Sequence, residues 1–351
     1  MFKIINKGFL ITQLPSFNKR ICTASESIHD GDTMYTASEG ILPIRFSGID
    51  TPETNYNLPI IKKPNDIQER NGNPFIPPSP IEDFKEYLSN PFDERYYDSK
   101  DFRNALGEDL VENHLKSKLN DKTAINHKRH AINARNALIQ LIEEDIGISL
   151  TSTDVFKFYI AFSFETTDRF GRILGWVNKY NSDNDRKDLS YNEKMLKLGM
   201  AIPYFIWPNI SPFRRSLSIT QALPNKEDFF NCIEEDNKLS NARKFVKNAR
   251  EQKLGIFEEQ EGLMLMPFEL RYLADRFTGL MNNPVPCKQS QNIIDRSNQK
   301  PVHRYVIDLS YNQEPIIVKP EEYYKIKVED RLFIDEHFVP LFQKHGYQVK
   351  E

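Results

Sequence analysis

Two aspartates near the amino-terminal end of the chain stand in the short segments DGDT and IDTPET. Asp32 and Asp50 are each followed by a threonine, and turn-forming residues surround both. Two carboxylates at the ends of neighbouring strands can hold one hard divalent cation through oxygen, and a phosphate oxygen can be a further ligand. The pair is therefore a candidate metal site for phosphate chemistry.

Two arginines and one glutamate could complete a site that cleaves phosphodiesters. Arg45 lies between the two motifs, and Arg172 follows more than a hundred residues later. A guanidinium group donates two parallel hydrogen bonds and stays protonated, which suits the charge that develops on a phosphate during displacement. Glu53 stands on a turn stiffened by Pro52, which places its carboxylate to orient or deprotonate a water molecule.

Each motif also has a purely structural interpretation. In DGDT and DTPE the aspartates can cap the local backbone while the proline fixes φ, and DRFGR around Arg172 is compatible with an ordinary hairpin tip. For one such segment alone, the plain turn is the more frequent explanation. The order and strand context of all three segments together favour the catalytic interpretation.

Turn signals at short intervals predict the strands that position these residues. A meander of three strands is expected, with one ending near Ile28, one from Thr33 to Ser38 and one from Leu42 to Gly48. The aromatic and β-branched segments 155–164 and 173–178 predict a hairpin, which brings the sheet to five strands.

Apolar spacing predicts the main helices. One long helix is expected from Ala124 to Glu144, with Gly147 as its stop. Its apolar stripe is formed by Ile125, Ile132, Ala134, Leu138, Ile139, Leu141 and Ile142. A second helix, rich in basic residues, is expected over about 227–254.

In this order, DGDT, IRFSGIDTPET, TDRFGRILGWV, LKLGMAIPY and a basic helix ending in KLGIF resemble the thermonuclease (staphylococcal-nuclease-like) family, over about residues 22–257. The resemblance implies an α+β fold: a five-stranded OB-fold β-barrel with packed helices. It also implies calcium-dependent hydrolysis of DNA and RNA. It assigns roles to six residues: the carboxylate metal ligands Asp32 and Asp50, the carbonyl ligand Thr51, the phosphate-binding catalytic arginines Arg45 and Arg172, and the general base Glu53.

The substrate-binding positions depart from the family's pattern. Where the family uses a lysine and tyrosines, this chain has Arg169 and Phe170, while Tyr204 keeps one tyrosine. Tyr204 or Trp207 could stack on a base or fill the edge of the barrel, and both interpretations stay open. With Arg169, Phe170 and Tyr204 as candidate substrate contacts, we expect substrate affinity and end preference to differ from the family norm.

Two further features have competing explanations. His127 and His130 have a spacing that could ligate a metal, but Lys128 and Arg129 between them favour a solvated helix face. The basic segment from Lys238 to Leu254 could contact phosphates, and an amphipathic helix with a solvated basic face explains it equally well.

Changes in composition predict the domain organisation. Residues 1–21 form an amino-terminal extension, and 22–261 form the nuclease-like OB-fold domain, with a proline- and charge-rich insertion at about 55–122. Residues 262–351 form a small α/β appendage of unknown role, which could bind a protein partner or mediate self-association.

Composition excludes several other classes of protein. The 39% hydrophobic and 28% charged residues are typical of a globular chain, and the net charge of −3 gives no global basic field. The three cysteines lack the spacing of a zinc ribbon or a disulfide framework. A secretory signal and a membrane-spanning segment are not recognisable, so we expect a cytoplasmic protein that does not bind membranes.

These observations predict a thermonuclease-like hydrolase that cleaves DNA and/or RNA with Ca2+ as cofactor. The alternative is a catalytically weak or inactive nuclease-like module that binds RNA or protein. A degenerate copy would be expected to lack several of the six assigned residues, whereas all six are present.

Overall fold

The structure, a computed structural model, has an α+β architecture with two mixed sheets of six strands each. None of the helices in its described part combines the length and apolar character that a membrane span requires. Cys22 carries a free thiol. The described residues are 9–17, 20–37, 40–56, 68–70, 73–75, 79–81, 85–93, 103–104, 106–149, 156–168, 170–180, 188–209, 223–235, 237–277, 304–310 and 314–350.

The strands of the two large sheets alternate along the chain with short two-stranded pairs. In chain order the strands are β1 Phe9–Thr12, β2 Ser16–Phe17, β3 Arg20–Ile21, β4 Ile28–Asp30, β5 Thr33–Ala37, β6 Ile41–Phe46, β7 Gly48–Asp50, β8 Asn55–Tyr56, β9 Gln68–Arg70, β10 Asn73–Phe75, β11 Ser79–Pro80, β12 Phe158–Thr167, β13 Ile173–Lys179, β14 Ile202–Trp207, β15 Arg304–Asp308, β16 Ile316–Val318, β17 Arg331–Asp335 and β18 Gln348–Val349.

The first large sheet has the strand order β1-β12-β13-β6-β5-β4. It contains the predicted meander and hairpin as five adjacent strands, although the first of them begins at Ile28, where it was predicted to end. The meander begins later than predicted, because a helical turn at Ala24–Ser27, closed by a capping box between Thr23 and Glu26, precedes β4.

An isolated bridge links this sheet back towards β1. Gln13, next to β1, exchanges two backbone hydrogen bonds with Ala37 at the end of β5, with N–O distances of 3.1 and 2.8 Å. The five-stranded OB-fold barrel stays a prediction.

The second large sheet has the order β18-β16-β15-β17-β14-β7 and contains strands from both sides of residue 262. β14 pairs in parallel with β17, and on its other side it pairs with β7, where Ile202 lies opposite Asp50. The chain passes from the first sheet to the second at Ser47, between β6 and β7. Asn192 fixes this crossing by donating to the carbonyl of Ser47 at 2.8 Å. The predicted domain boundaries are untested, but strands before and after residue 262 share this sheet.

The helices pack on these sheets and carry several of the site residues. In chain order they are α1 Ala24–Ser27, α2 Lys85–Ser89, α3 Glu108–Leu110 with a π-turn at Val111–Leu115 and a 3-10 turn at Lys116–Lys118, α4 Thr123–Ser149, α5 Tyr191–Lys197, α6 Phe229–Glu235, α7 Asn237–Glu251, α8 Pro267–Phe277 and α9 Val339–Lys344.

The long helix α4 differs from its prediction in length and in the face that it buries. It continues through Gly147 to Ser149, since a glycine destabilises a helix only by about 1 kcal/mol and does not by itself end one. Ile125 and Ile132, placed in the predicted apolar stripe, are exposed. Ala134, Leu138 and Ile142 of the predicted stripe are buried, and the buried face also includes Ala124, His127 and Ala131.

The predicted basic helix over about 227–254 is divided into α6 and α7. Its apolar face is buried as expected for an amphipathic helix: Leu239, Ala242, Val246 and Ala249 are all in the core. Two of its basic residues, Arg243 and Arg250, pair with Asp330 and Glu329 and connect α7 to the carboxyl-terminal segment. Whether the remaining basic residues contact phosphates stays a prediction.

Candidate active site

The tight turn between β4 and β5 places the first acidic residue of the site. The backbone N–H of Asp32 donates to the side chain of Asp30 at 3.2 Å, which closes the turn on itself. A Cβ on Gly31 would lie 2.8 Å from both Ala134 Cβ and Thr51 Cγ2, closer than side chains tolerate. Glycine at this position therefore allows α4 and the segment after β7 to approach the turn.

Arg45 joins the two predicted metal-ligand aspartates. Its guanidinium donates through Nη1 to Asp32 Oδ1 and through Nη2 to Asp50 Oδ1, the latter at 2.7 Å. The backbone N–H of Thr51 donates to Asp32 Oδ2 at 2.7 Å. Both aspartates are fully buried. The turn after β4, the strand β6 and the end of β7 therefore meet at one point, held by charge-assisted hydrogen bonds.

Glu53 lies beside this pair with its side chain 19% exposed. Burial, aided by the nearby carboxyl of Asp30, raises the pKa of Glu53 to about 7. Arg271 and Arg45 oppose this shift through their positive charge. A carboxyl that changes its charge near neutral pH is suited to exchanging a proton with water.

Arg172 reaches the same corner from the hairpin between β12 and β13. Its Nε donates to Asp168 Oδ2 at 2.7 Å, and its Nη1 donates to Thr33 Oγ1 at 3.4 Å. Thr33 Oγ1 in turn donates to Asp32 Oδ1 at 3.2 Å. The hydroxyl group of Thr33 therefore links Arg172 to Asp32.

The predicted substrate contacts lie in different surroundings. Phe170 is 68% exposed at the hairpin tip, with the Arg172 guanidinium 5.5 Å from its ring centre, while Arg169 lies outside the described residues. The ring of Tyr204 stacks on Phe268, with centroids 5.5 Å apart.

The two interpretations of Trp207 are now resolved. Its ring is fully buried against Phe338 and Phe342, with centroids 4.8 and 5.0 Å away. Trp207 therefore fills the core and does not offer a face to a base. Tyr204, whose hydroxyl accepts a 2.6 Å hydrogen bond from Arg304, stays a candidate contact.

With this geometry, one known protein provides an informative comparison. Over 177 residues the chain is 27% identical to Endonuclease YhcR of Bacillus subtilis (strain 168). The match covers 50% of this chain and 10% of that protein, so the chain spans about a tenth of the relative's length. No family model matches the chain. A distant homologue is therefore an endonuclease, and membership of the thermonuclease family stays a prediction.

Arg271 of α8 is a site residue that the sequence did not indicate. Its Nη2 donates to Asp50 Oδ2 at 2.6 Å, and its Nη1 donates to Asp50 Oδ1 and to Glu53 Oε1 at 3.0 and 3.1 Å. Although burial opposes ionisation of Asp50, Arg271 and Arg45 together lower its pKa below the ordinary value. Asp50 is therefore held as a charged carboxylate between two guanidinium groups.

The two histidines of α4 are buried, so the predicted solvated face is wrong. His127 Nε2 accepts a 3.0 Å hydrogen bond from the backbone N–H of Glu53, and burial lowers the pKa of His127 to about 3. The imidazole is therefore neutral, and its ring proton sits on Nδ1. His130 contacts the carbonyl of Glu261 at 2.8 Å, and burial lowers its pKa to about 4.

The fit of this site to a calcium ion is mixed. Asp32 and Asp50 supply the oxygen donors that Ca2+ prefers. However, the oxygens of Asp32 already accept from Arg45 and from the backbone of Thr51, and those of Asp50 accept from Arg45 and Arg271. Across the described part of the chain, no group of three or more His, Cys, Asp or Glu side chains is arranged to hold a metal ion. The donor class fits calcium, but the arrangement of these side chains does not.

Proposed function

We propose that this chain is a nuclease that hydrolyses phosphodiester bonds of DNA and/or RNA. The observation that carries the proposal is the meeting, from separate stretches of chain, of Asp32 and Asp50 with the arginines Arg45 and Arg172. Glu53 joins this cluster through Arg271, which also contacts Asp50. The 27% identity to an endonuclease supports the same conclusion independently.

The residues have distinct roles in the proposed reaction. Glu53 accepts a proton from a water molecule, or orients it, as the water attacks phosphorus in line with the leaving oxygen. The guanidinium groups of Arg45 and Arg172 stabilise the charge that develops on the phosphate oxygens. Asp32 and Asp50 hold Arg45 in place. Asp168 holds Arg172 in place by accepting a hydrogen bond from its Nε.

The thermonuclease-like details belong to this proposal. The bridge between Gln13 and Ala37 supports closure of the first sheet into the OB-fold barrel that the family resemblance implies. Arg169, Phe170 and Tyr204 are proposed substrate contacts, and the exposed ring of Phe170 is the proposed stacking surface for a base.

Calcium dependence is proposed on the resemblance alone, with Asp32, Asp50 and the carbonyl of Thr51 as the ligands. A divalent cation would supply further positive charge beside the phosphate. At Asp50 such a cation would compete with Arg45 and Arg271 for the carboxylate oxygens. Measuring cleavage in calcium and in chelator tests calcium dependence separately from the proposed hydrolysis.

The experiment is incubation of the purified chain with labelled single-stranded DNA and RNA. We expect cleavage, and we expect it to fall at least about a hundredfold in Glu53→Gln and in Arg172→Ala, on the scale of one lost general base or charge clamp. Glu26→Gln and Arg20→Ala, which alter an exposed ion pair on and near α1, are matched controls with unchanged cleavage.

Two outcomes contradict the proposal. One is unchanged turnover in Glu53→Gln or Arg172→Ala, with folding confirmed by circular dichroism. The other is tight binding of RNA by the unaltered chain in calcium and in chelator without any cleavage, which would establish the non-catalytic binding module instead.

A further inference from the structure

The guanidinium of Arg271 lies between two carboxylates of the proposed hydrolytic site. It contacts both oxygens of Asp50 and, through Nη1, also Oε1 of Glu53. Its side chain is 24% exposed, so it is largely withdrawn from solvent. Charge-assisted hydrogen bonds of this bidentate kind fix geometry as well as charge.

The helix that carries Arg271 is itself held firmly. Phe268 is buried among aromatic rings that include Tyr204, and the buried Glu269 accepts hydrogen bonds from Tyr323 and from the backbone N–H of Met266. The hydroxyl of Tyr87 donates to the carbonyl of Leu273 at 2.7 Å. Contacts at successive turns of α8 therefore fix where the guanidinium sits relative to β7.

Without this guanidinium, the carboxylate of Glu53 would face the negative charge of Asp50 directly. Two carboxylates that no longer share a guanidinium group repel each other, and a half-buried glutamate can relieve the repulsion by rotating towards solvent. Its backbone would stay where His127 holds it, but its carboxylate would leave the position beside Asp50. A displacement of about 1 Å in a reacting group can lower a rate about a hundredfold.

We propose that Arg271 is a positioning residue that holds the Glu53 carboxylate beside Asp50. The segment after residue 262 would then supply a residue of the hydrolytic site, in addition to the strands that it contributes to the second large sheet. This inference rests on the proposed nuclease function and deepens it.

The test compares the unaltered chain with Arg271→Ala and Arg271→Lys in steady-state cleavage of single-stranded DNA. We expect kcat to fall at least about tenfold in Arg271→Ala while KM changes less than about threefold, because the substrate contacts are untouched. Arg271→Lys restores one charge without the fork and should recover part of kcat. Millimolar ethylguanidinium should also raise kcat of Arg271→Ala by filling the vacated space.

The matched control is Arg250→Ala. Arg250 makes a bidentate ion pair with Glu329 at 2.6 and 3.1 Å, away from the site. If Arg271 only anchors the carboxyl-terminal segment, the two alanine variants lose activity in proportion to their unfolded fractions and neither responds to ethylguanidinium. That result overturns the proposal.

The same assays separate this inference from the proposed function. Absence of cleavage by the unaltered chain overturns both. Cleavage by the unaltered chain with unchanged kcat in Arg271→Ala overturns the positioning role alone. If Arg271→Ala does not fold, the lysine substitution tests the positioning role in two backgrounds. Arg271→Lys should lower kcat relative to the unaltered chain. The double variant Glu53→Gln/Arg271→Lys should have the same kcat as Glu53→Gln alone.

Discussion

The backbone N–H of Glu53 donates a hydrogen bond to Nε2 of His127, 3.0 Å away on the long helix α4. The imidazole is buried and neutral, so it acts as an acceptor for the backbone and not as a charged group. This contact fixes the backbone of the turn that carries Glu53, whereas Arg271 contacts its carboxylate. Two parts of the chain far from the turn therefore determine its conformation.

Replacing His127 by leucine should impair both folding and activity. The variant leaves the Glu53 N–H without its acceptor, at a cost of about 1–3 kcal/mol in the free energy of unfolding. In the same variant kcat for cleavage should fall about tenfold, since the turn is no longer fixed. Urea unfolding and steady-state cleavage measure the two effects.

His127→Gln provides the conservative comparison, because its amide oxygen can accept the same hydrogen bond; it should retain more of kcat than His127→Leu. His130→Leu is the control on the same buried face, contacting Glu261 and not the site. It should lose stability without the drop in kcat. Equal effects of His127→Leu and His130→Leu on kcat would contradict a role for the Glu53–His127 hydrogen bond.

The pKa of Glu53 predicts how stability changes with pH. It is raised from 4.5 to about 7 in the folded chain, so between these values the folded state keeps a proton that the unfolded state has lost. The free energy of unfolding should therefore fall as pH rises through this window, by up to about 3 kcal/mol from this group. Unfolding in urea at pH 4.5 to 8 should show this slope in the unaltered chain and a smaller one in Glu53→Gln. Parallel curves for the two proteins would show that Glu53 titrates near its ordinary value.

Arg45 should be needed for stability because it is buried between two carboxylates. Its side chain is 13% exposed, and Arg45→Met leaves Asp32 without its guanidinium partner. Breaking a buried ion pair on one side costs about 3–5 kcal/mol in the free energy of unfolding. The double variant Asp32→Asn/Arg45→Met should be more stable than the sum of the single effects predicts, by at least about 1 kcal/mol in a double-mutant cycle. Simple additivity would mean that the two side chains do not interact.

The sequence predicted the parts of the site that lie on short connections. Asp32, Arg45 and Asp50 are separated by fewer than twenty residues and stand next to Gly and Pro turn signals, so their strands could be recognised from local patterns. The five adjacent strands of the first sheet followed from the same signals.

The contribution of distant residues could not be predicted in this way. Arg271 is 218 residues from Glu53, and an arginine on an amphipathic helix resembles any solvated basic residue. Long-range pairing of this kind depends on the packing of α8, which no local pattern encodes.

For His127 a usable signal did exist: it lies three residues after Ala124 and four before Ala131, on the face that α4 buries. The neighbouring charges of Lys128 and Arg129 favoured the wrong interpretation.

Glu269 should stabilise the helix that presents Arg271. Its buried carboxylate contacts His114 Nε2 at 2.6 Å, Tyr323 Oη at 2.7 Å and Lys118 Nζ at 3.2 Å. Burial opposes its ionisation, but Lys118 and His114 outweigh burial and lower its pKa below the ordinary value. Glu269→Gln removes the charge that these groups surround and should lower the free energy of unfolding at pH 7 by about 3–5 kcal/mol.

The pH dependence of this effect has the opposite sign to that of Glu53. Because the pKa of Glu269 is lowered on folding, its stabilisation is present above pH 4.5 and is lost as pH falls below that value. The unfolding free energies of Glu269→Gln and the unaltered chain should therefore converge in acid and differ by a constant amount between pH 5 and 8. Glu108→Gln, at an exposed ion pair with Arg103, should change stability little at any of these values. A gap between Glu269→Gln and the unaltered chain that persists undiminished in acid would show that packing, and not the ionised carboxylate, anchors α8.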